Sequence, residues 1–154
     1  MRRLLKLWGA LPIHPRIRWA LVTFFVPKFA VGVAGVILNE QNEILLFHHT
    51  YRGNRFPWGL PGGWLDPRED PAQGIVREIR EESGLEVCVV RPLLIENALI
   101  FRHLNVIFLC KMVGGTFRPS NEVDAIQFFG QRALPEMMLS QYAVIEKIFD
   151  LIHA

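Results

Sequence analysis

The apolar positions of this chain follow two periods, one helical and one alternating, and the changes between them mark its elements. Past Pro15, "RIRWALVTFF" sets Ile17, Ala20, Leu21, Phe24 and Phe25 at helical spacing and stops before Pro27. "FAVGVAGVILNEQNEILLFHH" then predicts two β-branched strands, 29–38 and 43–49, joined by a polar turn at Asn39–Asn42. Residues 51–57 predict a loop, and "WGLPGGWL" a short strand interrupted by glycines.

A second helix has strong punctuation. Asp70 stands at the N-cap, Pro71 at the first helical position and Gln73 at the capping-box position, and Gly84 stands where a left-handed residue ends a helix. Strands follow near 86–95, 104–113 and 123–129, with a turn expected at Gly114–Gly115. An amphipathic helix closes the chain from about Glu136 to Ile152. Strands with two later helices packed on them describe either an α+β fold or an α/β/α sandwich. With 154 residues, no internal repeat and no long linker, one domain is expected over 29–154, preceded by an arm, 1–28.

Composition sharpens the picture of that arm. Residues 1–39 hold six Lys and Arg and no acid, so the remainder carries eleven bases against fifteen acids. Its longest uncharged run, Trp19 to Pro27, is far short of the ~20 residues that span a bilayer. No small-x-small cleavage signal follows the opening residues. Because the residues from Trp19 to Val26 are apolar on every side, the arm is expected to pack on protein, either its own domain or a homodimer partner. Anchoring at a membrane surface is the competing expectation. Cys88 and Cys110, without a CxxC spacing, read as reduced core thiols of a cytoplasmic protein. Nothing in the charge pattern calls for nucleic acid.

The chemistry concentrates in "REIREESG". Glu78, Glu81 and Glu82 are spaced i, i+3 and i+4, so three carboxylates share one helix face and repel by a few tenths of a kcal/mol per pair. A divalent cation turns that cost into a benefit, and an all-oxygen set of this kind suits Mg²⁺ or Mn²⁺. Arg77 lies four residues from Glu81 and eight from Glu69, within reach of ion pairs. A solvated, salt-bridged helix would be the better explanation of the octet if it stood alone. The upstream residues decide the matter.

Gly63, five residues, Glu69, seven residues, then Arg77-Glu78-Ile79-x-Glu81-Glu82-x-Gly84-Leu85 matches G-x5-E-x7-R-E-U-x-E-E-x-G-U at every specified position, where U is aliphatic. At ordinary residue usage such a match arises by chance on the order of once in 10⁷ to 10⁹ windows. This is the Nudix box, and the chain resembles a Nudix hydrolase over roughly 29–152, with the arm outside the resemblance. The resemblance implies an α/β fold, an α/β/α sandwich with a mixed sheet and a catalytic loop-helix-loop. It also implies a divalent-metal enzyme that cleaves, with water, a phosphoanhydride of a nucleoside diphosphate linked to another moiety.

Carried over by residue, Glu78, Glu81 and Glu82 are the implied metal carboxylates, one of them a base. The Gly62 carbonyl is a further ligand, and Glu69 and Arg77 brace the loop-helix-loop. Glu122, in "NEVDAIQFF", matches an additional family carboxylate. Arg68 stands before Glu69 where many members have glycine. In the loop "HHTYRGNRFPW", Arg52 and Arg55 are candidates to hold phosphates, and Tyr51, Phe56 or Trp58 to stack a base. His48 and His49, adjacent on a strand, point to opposite faces and do not read as a shared metal site. The proline that marks ADP-ribose hydrolases would fall near Phe101, and the tyrosine of dinucleoside polyphosphate hydrolases near Arg102 or His103. Both are absent, as is an NADH-type segment. A module that binds a nucleotide metabolite without turnover is the alternative function, and the intact set of repelling carboxylates argues against it.

Overall fold

A computed structural model describes residues 14–52, 55–98 and 102–153. Its elements are α1 (Pro15–Phe25), β1 (Ala30–Ile37), β2 (Ile44–His49), β3 (Trp58–Gly59), β4 (Gly62–Trp64), α2 (Pro71–Ser83), β5 (Leu85–Ala98), β6 (His103–Gly115), β7 (Val123–Phe129) and α3 (Leu139–His153). Short 3₁₀ turns occupy Thr50–Arg52 and Gln131–Ala133.

The polar turn falls where the pattern places it. Asn39 Oδ1 accepts from the amides of Gln41 (3.0 Å) and Glu43 (2.9 Å), and Asn42 takes φ 59°. Beyond a bridge at Leu38–Ile44, however, the two strands part into different sheets. One sheet has the order β4-β1-β6-β5 and the other β3-β2-β7. β1 is therefore a central strand, antiparallel to β4 (Val33 opposite Gly63) and parallel to β6 (Ala30 opposite His103). That position explains its buried β-branched run, since both faces are covered.

Two apolar clusters sit on opposite sides of the sheets. Ile75 and Ile79 of α2 pack with Val33, Ile37, Leu45, Phe47 and Val87. Val144, Ile145, Ile148 and Phe149 of α3 pack with Val36, Ile44, Leu46 and Ile107. A helix thus closes each side, which is the α/β/α sandwich; truncating either of the fully buried Ile79 or Ile145 to alanine costs about 2–5 kcal/mol.

Cys88, expected in the core like Cys110, is exposed on β5, while Cys110 is buried. Three further expectations need correction. Gly114 and Gly115 do not form a turn; they pair opposite Glu86 and Leu85 at the end of the β5–β6 hairpin. Gly115 takes φ 81° because a side chain there would strike the Gly84 carbonyl. The last helix begins at Leu139, after Pro135, whose carbonyl accepts from the Tyr142 hydroxyl. The third correction concerns the arm. α1 forms as its spacing predicts, but none of its residues is buried. Over 15–25 the arm therefore adds nothing to the buried core of its own domain. Arm residues 1–13 lie outside the described residues.

Candidate active site

The site is organised by one helix and the loop that precedes it. Asp70 accepts from the amides of Ala72 (2.9 Å) and Gln73 (3.3 Å), so α2 starts at Pro71, and Gly84 at φ 72° ends it. Ahead of it, Asp66-Pro67-Arg68-Glu69 makes a tight turn closed by the Glu69 amide on the Asp66 carbonyl at 3.1 Å. Arg68, third in that turn, takes φ 74°.

Arg77 is the hub. Its Nε donates to Glu69 Oε1 (2.8 Å) and its Nη2 to Glu69 Oε2 (2.9 Å), a two-pronged pair. Nη2 also reaches the Trp64 carbonyl at 3.2 Å, and Nη1 reaches Glu78 (3.0 Å) and Glu81 (3.1 Å). The guanidinium bond holds the Glu69 carboxyl down at about 2, aided by the Asp66 amide. Glu69 in turn raises the Arg77 pKa against the opposing effect of burial.

Of the three carboxylates on the predicted face, two turn inward. Glu82 is 5% exposed, and its Oε2 accepts from the Gly62 amide at 3.4 Å. Burial pushes the Glu82 carboxyl up to about 7, with the charges of Glu78 and Glu122 adding to the rise and the Gly62 amide and Arg52 opposing it. Burial also raises Glu78, whose carboxylate lies over Gly63, 2.5 Å from where a β-carbon would be. Glycine at 63 is what lets that carboxylate approach. Gly62 holds φ 146°, and a side chain there would strike the Val33 carbonyl. Glu81 behaves differently. Its carboxylate is 62% exposed and lies on Arg77 at the rim.

Glu122 stands just before β7, and its carbonyl accepts from the Thr50 amide at 2.9 Å. Its charge is felt by both Glu78 and Glu82, so the fold brings a residue forty positions on toward the same acidic pair. Among the described residues, no three His, Cys, Asp or Glu side chains are gathered into a ready-made metal cage. The donor set nonetheless fits a hard cation that keeps several of its waters. It is oxygen-only, with Glu82 buried, Glu78 half-buried and both raised by burial, and Glu81 lies at the rim of the same helix face.

The loop residues divide. Arg52 is half-buried, and its charge acts on Glu82, which places a cation beside the acidic pair. Its guanidinium lies 5.8 Å from the Tyr51 ring centroid and sits where a side chain on Gly59 would be. Tyr51 is exposed, and Arg55 caps the Phe56 ring at 5.3 Å. Neither Arg55 nor Phe56 has a recorded contact with the acidic pair. Trp58 packs edge-on against His48 (5.1 Å) and Phe129 (5.0 Å), so packing accounts for it. His48 and His49 do face opposite ways: His48 Nδ1 meets Asp124 at 2.5 Å, whereas His49 is fully buried.

Two neighbours of Arg52 escaped the sequence. His49 has its pKa lowered to about 3, first by burial and then by the Arg52 charge, so its ring is neutral. Neither of its ring nitrogens has a full hydrogen bond among the described residues. Gln141, from the first turn of α3, brings its Oε1 to within 2.5 Å of the Gly59 β-carbon position, beside the Arg52 guanidinium. No local pattern signals either role, because both depend on contacts across the two-sheet body. The bare α-carbon of Gly59, in "WGLPGG", is the one available hint.

Comparison with known proteins follows from this geometry. The family model described as the NUDIX domain matches residues 28–148. A MutT-like protein of Streptomyces ambofaciens is 32% identical over 118 residues, covering 77% of this chain and 75% of that protein. A human 8-oxo-dGDP phosphatase is 36% identical over 93 residues, 60% of this chain but only 28% of the relative. The crystal structure of an ADP-ribose pyrophosphatase from Streptococcus suis superposes with a TM-score of 0.68 at 30% identity, covering 82% of this chain and 92% of that one. The box from Gly63 to Leu85 is thus set in the fold that the rest of the chain shares with these proteins, and the chain belongs to the Nudix hydrolase family.

Proposed function

We propose that the protein hydrolyses a phosphoanhydride bond in a nucleoside diphosphate linked to another moiety, with Mg²⁺ or Mn²⁺. The observation that carries this reading is the mutually repelling pair of half-buried Glu78 and buried Glu82 beside the cation of Arg52, within the field of Glu122. Carboxylates alone cannot approach a polyphosphate, and a bound divalent ion reverses the local sign. Glu78, Glu82 and Glu81, with the Gly62 carbonyl and Glu122, are the residues to hold it. The bound ion neutralises phosphate oxygens and acidifies a water.

The chain's own residues do the rest. Arg77 and Glu69 hold the helix against the Trp64 loop, so that Glu78 keeps its place over Gly63. Glu82, with a pKa of about 7 in the metal-free chain, is suited to take a proton at neutral pH. Arg52 meets the phosphates, with Arg55 extending that contact. Tyr51 and Phe56 offer rings to the base. The names of two relatives, ADP-ribose pyrophosphatase and 8-oxo-dGDP phosphatase, each contain a nucleoside diphosphate, which supports the substrate class. The domain assignment, an arm at 1–28 and a hydrolase domain at 29–154, and a cytoplasmic location complete the reading.

The test is a panel of nucleoside diphosphate sugars, diphosphates and dinucleotides, with nucleoside monophosphate release followed with and without Mg²⁺. Metal-dependent release from at least one member is expected. Binding of panel members without any release, at saturating metal, would replace catalysis by a sensing role.

A further inference from the structure

We infer that α1 and the residues after it form a docking face for an anionic membrane surface, which the chain lies on and does not cross. The helix presents Phe24 at 81% and Phe25 at 79% exposure, and Ile17, Val26 and Phe29 are also open to solvent. Monomeric proteins rarely leave such a contiguous apolar patch bare. At about 100° per residue, Phe24, Ile17, Leu21 and Phe25 fall in one sector roughly 100° wide, with Arg16, Thr23 and the exposed Trp19 on the other side. Thr23 adds little polarity there, since its hydroxyl already bonds to the Trp19 and Ala20 carbonyls at 2.9 Å. The Phe24 and Phe25 rings meet edge to face at 5.4 Å and project together.

What covers this face is decided by charge and by length. Residues 1–39 contain Arg2, Arg3, Lys6, Arg16, Arg18 and Lys28 and no acidic residue. Packing two such arms against each other, in a second copy, would bring together cations with no acid in either arm to neutralise them. An anionic bilayer surface supplies the missing charge continuously, and its headgroup layer accepts Trp and Phe rings. The helix has 11 residues, about 17 Å of rise, so it is too short for a hydrocarbon core of about 30 Å. No described helix is long and apolar enough to cross a membrane. Within the single chain no α1 residue is buried against the sandwich.

The experiment uses the full chain with extruded vesicles of phosphatidylcholine alone or with about 30% phosphatidylserine, scored by co-sedimentation. Binding to the anionic vesicles should exceed neutral binding by about tenfold or more at low salt, and should fall about tenfold between roughly 50 and 500 mM salt. Phe24→Ser/Phe25→Ser and, separately, Arg16→Glu/Lys28→Glu should each weaken it about tenfold, with hydrolase activity and melting temperature unchanged. These side chains are exposed, so the variants should fold. Equal partition onto both vesicles, or binding unaffected by either double variant, overturns the inference. So does a dimer of the full chain, seen by sedimentation equilibrium, that Phe24→Ser/Phe25→Ser converts to monomer; that outcome assigns the face to a second copy.

Discussion

Arg68→Gly should stabilise this protein. Arg68 is the third residue of the Asp66–Glu69 turn, follows a proline and holds φ 74°, the arrangement of a type II turn that favours glycine at this place. A β-carbon in the left-handed region costs about 1–2 kcal/mol, and glycine returns roughly 0.5–1 kcal/mol of that through its greater freedom in the unfolded chain. The net expected gain is about 0.5–1 kcal/mol. For a chain of this size it corresponds to about 1–4 °C in melting temperature. The Arg68 side chain is exposed and makes no hydrogen bond or ion pair among the described residues, so its removal forfeits little. Arg68→Ala provides the control, since it removes the same side chain but keeps the β-carbon. Calorimetric or circular-dichroism melts in metal-free buffer should rank Arg68→Gly above Arg68→Ala, and Arg68→Ala near the parent. Equal melting of the two variants would refute the argument from backbone strain. Loss of activity in Arg68→Ala as well as in Arg68→Gly would show instead that the guanidinium serves the substrate.

The other predictions concern the acidic pair and its brace. Glu82→Gln should lower kcat by about 10²-fold or more with the fold intact, and Glu81→Gln should do so only if Glu81 leaves Arg77 for the metal; unchanged turnover in both at saturating Mg²⁺ would remove the metal-site assignment. Glu69→Gln should weaken metal binding about 10- to 100-fold, because Arg77 loses its two-pronged anchor, and a metal titration that superposes on the parent's would show the brace to be dispensable. Metal should raise the melting temperature by about 3–6 °C at ten times its Kd. Since the Glu82 pKa rises from 4.5 unfolded to about 7 folded, this group's contribution to metal-free stability should fall as pH climbs through that window. The metal-induced shift should therefore be larger near pH 8 than near pH 5.5, and a shift independent of pH would contradict it.

What could be read without coordinates was local. The bounds of α2 came from Asp70, Pro71 and Gly84, each acting within a few residues, and the structure places the helix at Pro71–Ser83. The Arg77 ion pairs were legible for a similar reason, being set by offsets of four and eight positions along one helix and its lead-in. Which strands pair was not legible. β1 joins β6 across 73 residues, Ala30 to His103, and no pattern in either strand names the other. The same limit hid His49 and Gln141, which reach the Arg52 neighbourhood from separate elements. Helical spacing grouped Glu81 with Glu78 and Glu82 and put Arg77 within its reach, but spacing alone did not say that Glu81 would stay at the exposed rim while the other two turn inward. For the arm, spacing implied the helix that forms, but what covers it was not legible, because that depends on surfaces far from it in the chain.

The pairing of β1 with both β4 and β6 also sets an order of events as the chain folds. The loop that places Gly62 and Gly63 beside the carboxylates belongs to β4, whose partner strand in the sheet is β1. β1, in turn, is secured by a parallel partner 73 residues away, and closing so long a loop costs entropy before any contact rewards it. α2, with its own start and stop signals, can form early as a fluctuating helix, but its carboxylates have nothing to face until that distant strand arrives. Folding should therefore run in milliseconds to seconds, the range of non-local topologies, with metal affinity appearing in the last phase. A refolding trace in which a metal-sensitive signal preceded the burial of tryptophan would reverse that order.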